Sequence, residues 1–160
     1  MKSTTFRDGV PYFGAIGQDI ARGMLPIAST FDTSPPNLEN ITDGDVTTDS
    51  GEGSKVLAGA GVVGYISLDF GTPKTGLIMA DVSIKSTAGA CTGYAEQKID
   101  GVWWTWGEII AMGSHTTYDR DCHAPVFFAN ADQIRMMIYV NTAATATIKI
   151  HEMIALEVLP

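Results

Sequence analysis

The fold is indicated most clearly by residues 94–106, YAEQKIDGVWWTW. An alternating segment runs into Asp100-Gly101, and the alternation resumes at Val102. An Asp-Gly pair in this setting is a strong hairpin signal, because Gly101 has no Cβ and Asp100 tolerates positive φ better than most residues. The segment therefore predicts a β-hairpin. Its second strand carries three tryptophans: Trp103, Trp104 and Trp106.

Three further segments, residues 65–70, 77–85 and 133–141, alternate apolar and polar residues. This pattern predicts half-buried strands. The residues predicted to face the core are Ile66, Leu68, Phe70, Ile78, Ala80, Val82, Ile84, Ile134, Met136, Ile138 and Val140. Residues 145–159 alternate too, with Ile148 and Ile150 on one face. A phase change near Glu152 predicts a β-bulge or sheet crossing, after which Ile154, Leu156 and Val158 share a face.

Short strands separated by turn signals, with no long helical pattern, predict an all-β protein with an antiparallel β-sandwich or jelly roll. The chain has 160 residues, 45% of them hydrophobic, which suits one domain. Residues 1–30 are rich in Gly and Pro and keep no sustained period, so they predict an extended N-terminal arm. The sandwich is predicted to occupy residues 31–160.

The arm holds too many apolar residues for a freely solvated tail. We therefore expect it to be ordered against a protein partner through Tyr12, Phe13, Ile16, Ile20 and Leu25. A second partner-binding row, of residue types enriched in interfaces, is predicted on the outward face of residues 133–141. It consists of Arg135, Met137 and Tyr139. Together these surfaces predict a homo-oligomer.

Charge excludes two classes of partner. The net charge is -8 and the pI is about 4.6, whereas nucleic acids and anionic membranes are held by clusters of Lys and Arg. The start, MKSTTFRDGV, lacks the apolar region of a secretory signal peptide, and no stretch reaches the roughly 20 apolar residues of a membrane span. We expect a soluble protein. Cys91 and Cys122 are interpreted as two buried thiols.

The motifs of common enzyme classes are missing from the sequence. It has no GxSxG, Walker or dinucleotide-binding signature. The three histidines, His115, His123 and His151, lack the spacing of zinc ligands. Residues 119–123, DRDCH, gather reactive residue types, but neighbours on an extended strand point to opposite faces, so an ion-paired loop is favoured. The sequence therefore predicts a non-enzymatic protein without a cofactor.

Several ordered motifs resemble those of discoidin domains, also called coagulation factor 5/8 type C domains. They are residues 40–45 (NITDGD) with Thr48, 64–71 (GYISLDFG), 100–105 (DGVWWT), 134–136 (IRM) and 156–158 (LEV). The resemblance covers roughly residues 27–160. It implies a galactose-binding-like jelly roll that binds a partner or ligand and does not transform it, although a fold alone does not fix what is bound.

The resemblance also implies site residues. A calcium ion, frequent in the family, would lie near Asp43 and Asp45, with Glu157 as a carboxylate from the last strand. Ala155 stands where the family often has an acidic residue, and Asx-rich turns commonly cap themselves, so calcium is the less favoured alternative. Trp104 matches the family's buried tryptophan. Trp103 and Trp106 are then the candidates for stacking on a sugar.

Two function classes remain open. An apolar arm, a small acidic sandwich and no catalytic constellation resemble the discoidin-like or jelly-roll proteins that decorate tailed-phage virions. The main interpretation is therefore a capsid decoration protein in the virion, bound to capsid or tail lattice subunits. The alternative is a carbohydrate-binding module, or a tail accessory that binds a receptor glycan.

Overall fold

The computed structural model describes residues 5–7, 10–12, 16–112, 116–122 and 125–159. The strands follow in chain order: β1 (Thr5–Arg7), β2 (Val10–Tyr12), β3 (Ile16–Asp19), β4 (Ile27–Ser29), β5 (Gly53–Leu57), β6 (Gly61–Ser86), β7 (Cys91–Ile99), β8 (Val102–Met112), β9 (Asp119–Cys122), β10 (Val126–Val140) and β11 (Ala144–Val158). A short 3-10 helix spans Leu38–Thr42. The prediction of an all-β antiparallel fold is confirmed.

The main sheet is built around the long strand β6. Its hydrogen-bonded order is β3-β11-β6-β10-β7-β8, with β4 and β9 also paired to β6 and β5 to β11. The first half of β6 pairs with β10 and β4, and the second half pairs chiefly with β11 and β9. Gly71, at φ +69°, lies between the halves, in the stretch of residues 70–74 that we call the bend of β6. The segments predicted as separate strands, residues 65–70 and 77–85, are therefore two halves of one strand.

One core includes side chains from both halves of β6. Ile66 and Leu68 come from the first half, and Val82 and Ile84 from the second. All the inward residues predicted on these segments and on β10 are buried, except Phe70, which is half-buried at the end of the core. Truncating such a side chain to Ala lowers the free energy of unfolding by roughly 2–5 kcal/mol. Burial of these side chains therefore stabilises the sandwich.

The predicted bulge in β11 is confirmed between Ile150 and Glu152. A one-residue insertion exchanges the two faces of a strand. Met153 and Ala155 are therefore buried, whereas the residues predicted to share a face, Ile154, Leu156 and Val158, are half-buried on the other side. The bulge also leaves Glu152 buried.

The predicted hairpin is confirmed as β7 and β8, with Asp100 at φ 51° and Gly101 at φ 80° in the turn. The expected burial of Trp104 was wrong, whereas the predicted sugar contacts of Trp103 and Trp106 stay predictions. Trp104 is 57% exposed and Trp103 is half-buried. The reason is that β8 is the last strand in the order of the sheet, so the core does not extend beneath Trp104. The side chain of Trp106 lies outside the described residues.

Part of the predicted arm belongs to the chain's own sheet. β3 pairs with β11, β4 pairs with β6, and the partly buried Ile20 and Met24 pack against the core. The sandwich thus covers part of these apolar side chains without a partner. The partner-binding role of Ile20 stays a prediction. Leu25 remains 70% exposed. Phe13 and the side chains of Tyr12 and Ile16 lie outside the described residues. Within the described ranges, no helix is long and apolar enough to span a membrane.

Candidate ligand-binding cleft

An open cleft of about 690 Å³ lies where β3 and the loop after it meet the bend of β6. Its lining combines apolar side chains with hydrogen-bonding ones. The lining residues are Gln18, Asp19, Ile20, Arg22, Met24, Phe70 and Lys74. From the sequence, Ile20 was assigned to partner binding and Phe70 to the core. The other five were missed, because residues 18–24 carry no recognisable motif and nothing in the sequence shows that they meet residues 70–74.

Phe70 gives the cleft a fixed aromatic surface. Its ring stacks on Phe128 with the centroids 5.9 Å apart and the planes 17° from parallel. Phe128 is buried, so it holds the Phe70 ring from the core side. An aromatic face held in this way offers an apolar surface to a ligand without a large loss of conformational freedom.

The charged residues of the cleft are also held in place. Asp19 Oδ1 accepts hydrogen bonds from the backbone N–H groups of Ala21 and Ala155, each 3.0 Å long. Lys74 Nζ lies 3.0 Å from Glu157 Oε1. The first contact fixes β3 and its loop to β11, and the second fixes the bend of β6 to the same strand.

Arg22 connects the cleft with the loop of residues 43–48. Its guanidinium packs on Gly44, where a Cβ would lie 1.9 Å from Arg22 Nη1. Gly44 also has a φ of +78°, a conformation that glycine adopts readily. Position 44 therefore favours glycine for its backbone conformation, whereas the exposed end of the Arg22 side chain could shift to make room for a Cβ.

The three residues predicted as calcium ligands are not brought together. Asp43 accepts hydrogen bonds from Asp45 N–H (2.7 Å) and from the hydroxyl of Thr48 (3.0 Å). Asp45 accepts two from Thr47, and these bonds hold the pKa of its carboxyl below the usual range. Glu157 is paired with Lys74 instead.

Within the described ranges, no three His, Cys, Asp or Glu side chains form a group that could hold a metal ion. The predicted set of Asp43, Asp45 and Glu157 therefore does not fit a calcium shell, which needs six to eight oxygens. The loop is better described as one that caps its own backbone.

The carboxylate of the last strand that faces this loop belongs to Glu152, which sequence reasoning did not single out as a site residue. Glu152 is 2% exposed, and its Oε2 accepts a hydrogen bond from Gly44 N–H at 3.1 Å. Oε1 is buried and has no hydrogen-bond partner among the described residues. Burial, together with the nearby charge of Asp43, raises the pKa of Glu152 to about 7. The feature of the sequence that could have identified Glu152 is the phase change in β11, which turns this side chain inward.

Arg135 and Trp103 form a separate cluster on the outer face of the sheet. The Arg135 guanidinium lies between the rings of Tyr65 and Trp103, 3.9 Å from each centroid. Its Nε donates to Glu96 Oε2, and Glu96 Oε1 accepts from the hydroxyl of Thr105 at 2.9 Å. One face of Trp103 is thus covered by the chain's own arginine, which leaves Trp104 as the more exposed of the two tryptophans.

Met137 and Tyr139 are half-buried on the same outward-facing side of β10 as Arg135. Their role in partner binding stays a prediction.

Residues 119–122 form strand β9, and Arg120 Nη2 lies 2.7 Å from Asp81 Oδ2. The segment is thus ion-paired as predicted, but in a strand and not a loop. His123 lies outside the described residues. Cys91 is buried, and its burial raises the pKa of the thiol.

Comparison with known proteins gives structural likenesses only. No family model matches the sequence, and no curated protein does. Chitosan-binding module 1 from a chitosanase/glucanase of Paenibacillus sp. IK-5 shares 15% identity, with a TM-score of 0.49 over 88% of this chain and 98% of the module. The family 32 carbohydrate-binding module of NanJ from C. perfringens, solved with galactose, shares 15% identity, with a TM-score of 0.44 over 84% and 94%.

The family 32 module of AlyQ, solved with 4,5-unsaturated mannuronic acid, shares 16% identity, with a TM-score of 0.44 over 88% of this chain and 97% of the module. The expected role in a phage capsid or tail finds no support among these structures.

Proposed function

We propose that this protein is a non-enzymatic carbohydrate-binding module and that its glycan binds in the cleft beside Phe70. The observation that carries the proposal is the composition of the cleft, which combines a fixed aromatic ring with charged and amide side chains around one open space. A sugar ring has the complementary character, because it presents an apolar C–H face and a rim of hydroxyl groups. Binding sites for small molecules commonly pair an apolar surface with a few placed polar groups.

Each lining residue has a role in this proposal. The Phe70 ring stacks against the apolar face of the sugar. Gln18 and Arg22 are exposed, and they donate hydrogen bonds to hydroxyl oxygens from one side. Lys74 donates from the bend of β6, while its contact with Glu157 keeps the side chain in place. Asp19 is held by two backbone N–H groups, and its Oδ2 accepts from a sugar hydroxyl.

The order of the motifs in the sequence supports the proposal independently of the cleft, since it resembles that of a family whose role is binding. The galactose-binding-like sandwich agrees with that resemblance. The main interpretation from the sequence, assembly through an apolar arm, loses part of its basis, because Ile20 and Met24 pack on the chain's own core.

A glycan array followed by calorimetry on the best ligand tests the proposal. Phe70→Leu keeps an apolar side chain against Phe128 and removes the ring, and Arg22→Gln removes a charged donor. We expect each to weaken binding about tenfold, equivalent to about 1.4 kcal/mol. The matched control is Val56→Ala, since Val56 is exposed on β5, away from the cleft. A folded protein that binds no glycan, or that binds it equally well after both changes, would refute the proposal.

A further inference from the structure

Trp104 is the most exposed aromatic side chain among the large exposed apolar residues that the structure describes. It lies opposite Gln97, Gln97 lies opposite Ile134, and Ile134 lies opposite Leu68, so all four belong to one row on the core-facing side of the sheet. Gln97, Ile134 and Leu68 are buried. Trp104 thus continues the core-facing surface beyond the edge of the core.

The hairpin presents Trp104 from a fixed position. Nine register pairs join β7 to β8. Gln97 Oε1 accepts a hydrogen bond from the backbone N–H of Ala129 at 3.0 Å, which fixes the hairpin to β10. Val102, two residues before Trp104 and therefore on the same side of β8, is 54% exposed. An indole on such a support can contact a ligand with little loss of side-chain entropy.

Trp104 lies on the same side of the sheet as Phe70. Phe70 is two residues beyond Leu68 on β6, and alternate residues of a strand share a face. The row that contains Leu68 crosses β6, β10, β7 and β8, three inter-strand steps. At ~4.8 Å for each step and ~3.4 Å for each residue along β6, the separation between Phe70 and Trp104 is roughly 16 Å. A single sugar ring is too small to touch both.

We infer that the ligand is an oligosaccharide that crosses this end of the sandwich, with one sugar on Phe70 in the cleft and a distal sugar on Trp104. The inference rests on the proposed function, because it extends the same binding site. The occupant is a glycan chain, and not a second protein, because Trp104 and Val102 continue the face of the sheet that carries Phe70, the ring proposed to stack on a sugar. The distal sugar stacks on the indole, while the sugars between pass the end of β7, where Ile99 lies opposite Val102.

The test compares two ligands that differ only in length: the longest oligosaccharide bound on the array and the monosaccharide of its repeating unit. Affinities are measured by calorimetry for the original protein, Trp104→Ala, Trp104→Phe, Phe70→Leu and Val56→Ala. We expect Trp104→Ala to weaken binding of the oligosaccharide about tenfold and to leave the monosaccharide unchanged. Trp104→Phe keeps a ring and should restore most of the loss.

Phe70→Leu should weaken both ligands, and Val56→Ala neither. An equal effect of Trp104→Ala on the two ligands, or no effect on either, would overturn the distal site while leaving the Phe70 site supported. Absence of binding to any glycan would refute the proposed function together with this extension. Thermal unfolding of each variant verifies that a lost affinity does not come from a lost fold.

Discussion

Replacing Glu152 by Gln should change how the stability of the protein depends on pH. The pKa of Glu152 is raised from the ordinary 4.5 to about 7, first by burial and then by the nearby charge of Asp43. The groups that face it are Asp43 and Asp19, which oppose its ionisation, and Arg22 and the N–H of Gly44, which favour it. Asp81 lines a small cavity together with Glu152, and its carboxylate is paired with Arg120.

The sign follows from proton binding. The folded protein binds the Glu152 proton more tightly than the unfolded chain, so this group contributes stability below pH 4.5 and loses it as the pH rises through 7. The rise of this pKa from 4.5 to about 7 corresponds to at most roughly 3 kcal/mol. Gln keeps a carbonyl oxygen for the N–H of Gly44 and never becomes charged. Glu152→Gln should therefore be more stable than the original protein at pH 8, by up to roughly 3 kcal/mol.

Urea titrations at pH 4, 5, 6, 7 and 8 measure this difference in the free energy of unfolding, and other titrating groups cancel between the two proteins. Glu39→Gln is the matched control, because it makes the same chemical change at an exposed residue of the short 3-10 helix. A Glu152→Gln difference that is constant from pH 4 to 8, or that favours the original protein at pH 8, would refute the reasoning.

Three further changes test individual contacts. Calcium at micromolar concentration should leave the melting temperature unchanged in thermal unfolding, and a rise that Asp45→Ala abolishes would show a metal site after all. Gly44→Ala should cost roughly 1–3 kcal/mol in a denaturant titration because of its positive φ, and the loss should persist in an Arg22→Ala background. Trp103→Ala should cost roughly 1–2 kcal/mol through its cation–π contacts, whereas Trp104→Ala should cost about 0.5 kcal/mol. Denaturation curves with the order reversed would contradict the facing found in the structure.

Local patterns in the sequence predicted the local structure well. Asp100-Gly101 predicted the hairpin, because positive φ at two successive residues is a property of the turn itself. Alternation predicted the inward face of β10, since the period of a strand is two residues. The phase change near Glu152 predicted the bulge, because an inserted residue shifts the alternation of apolar residues by one position.

The site could not be predicted in the same way, because it depends on contacts between distant residues. The exposure of Trp104 follows from the position of β8 at the end of the strand order, which the pattern of β8 itself does not reveal. Glu152 and Gly44 are 108 residues apart. A sequence pattern gives the side of a strand on which a residue lies, but which neighbour covers that side is decided by the sheet order.

The first part of the chain shows why this matters for function. Gly and Pro composition set residues 1–30 apart as an arm, yet β3 extends the sheet beside β11, and the loop after it supplies Arg22 and Met24 to the cleft. Asp19 makes the connection, because one carboxylate oxygen accepts from Ala21 in the loop and from Ala155 in β11. One wall of the cleft therefore comes from the predicted arm and the other from the bend of β6. The cleft forms only where the two are joined, so residues 16–24 are part of the fold that builds it.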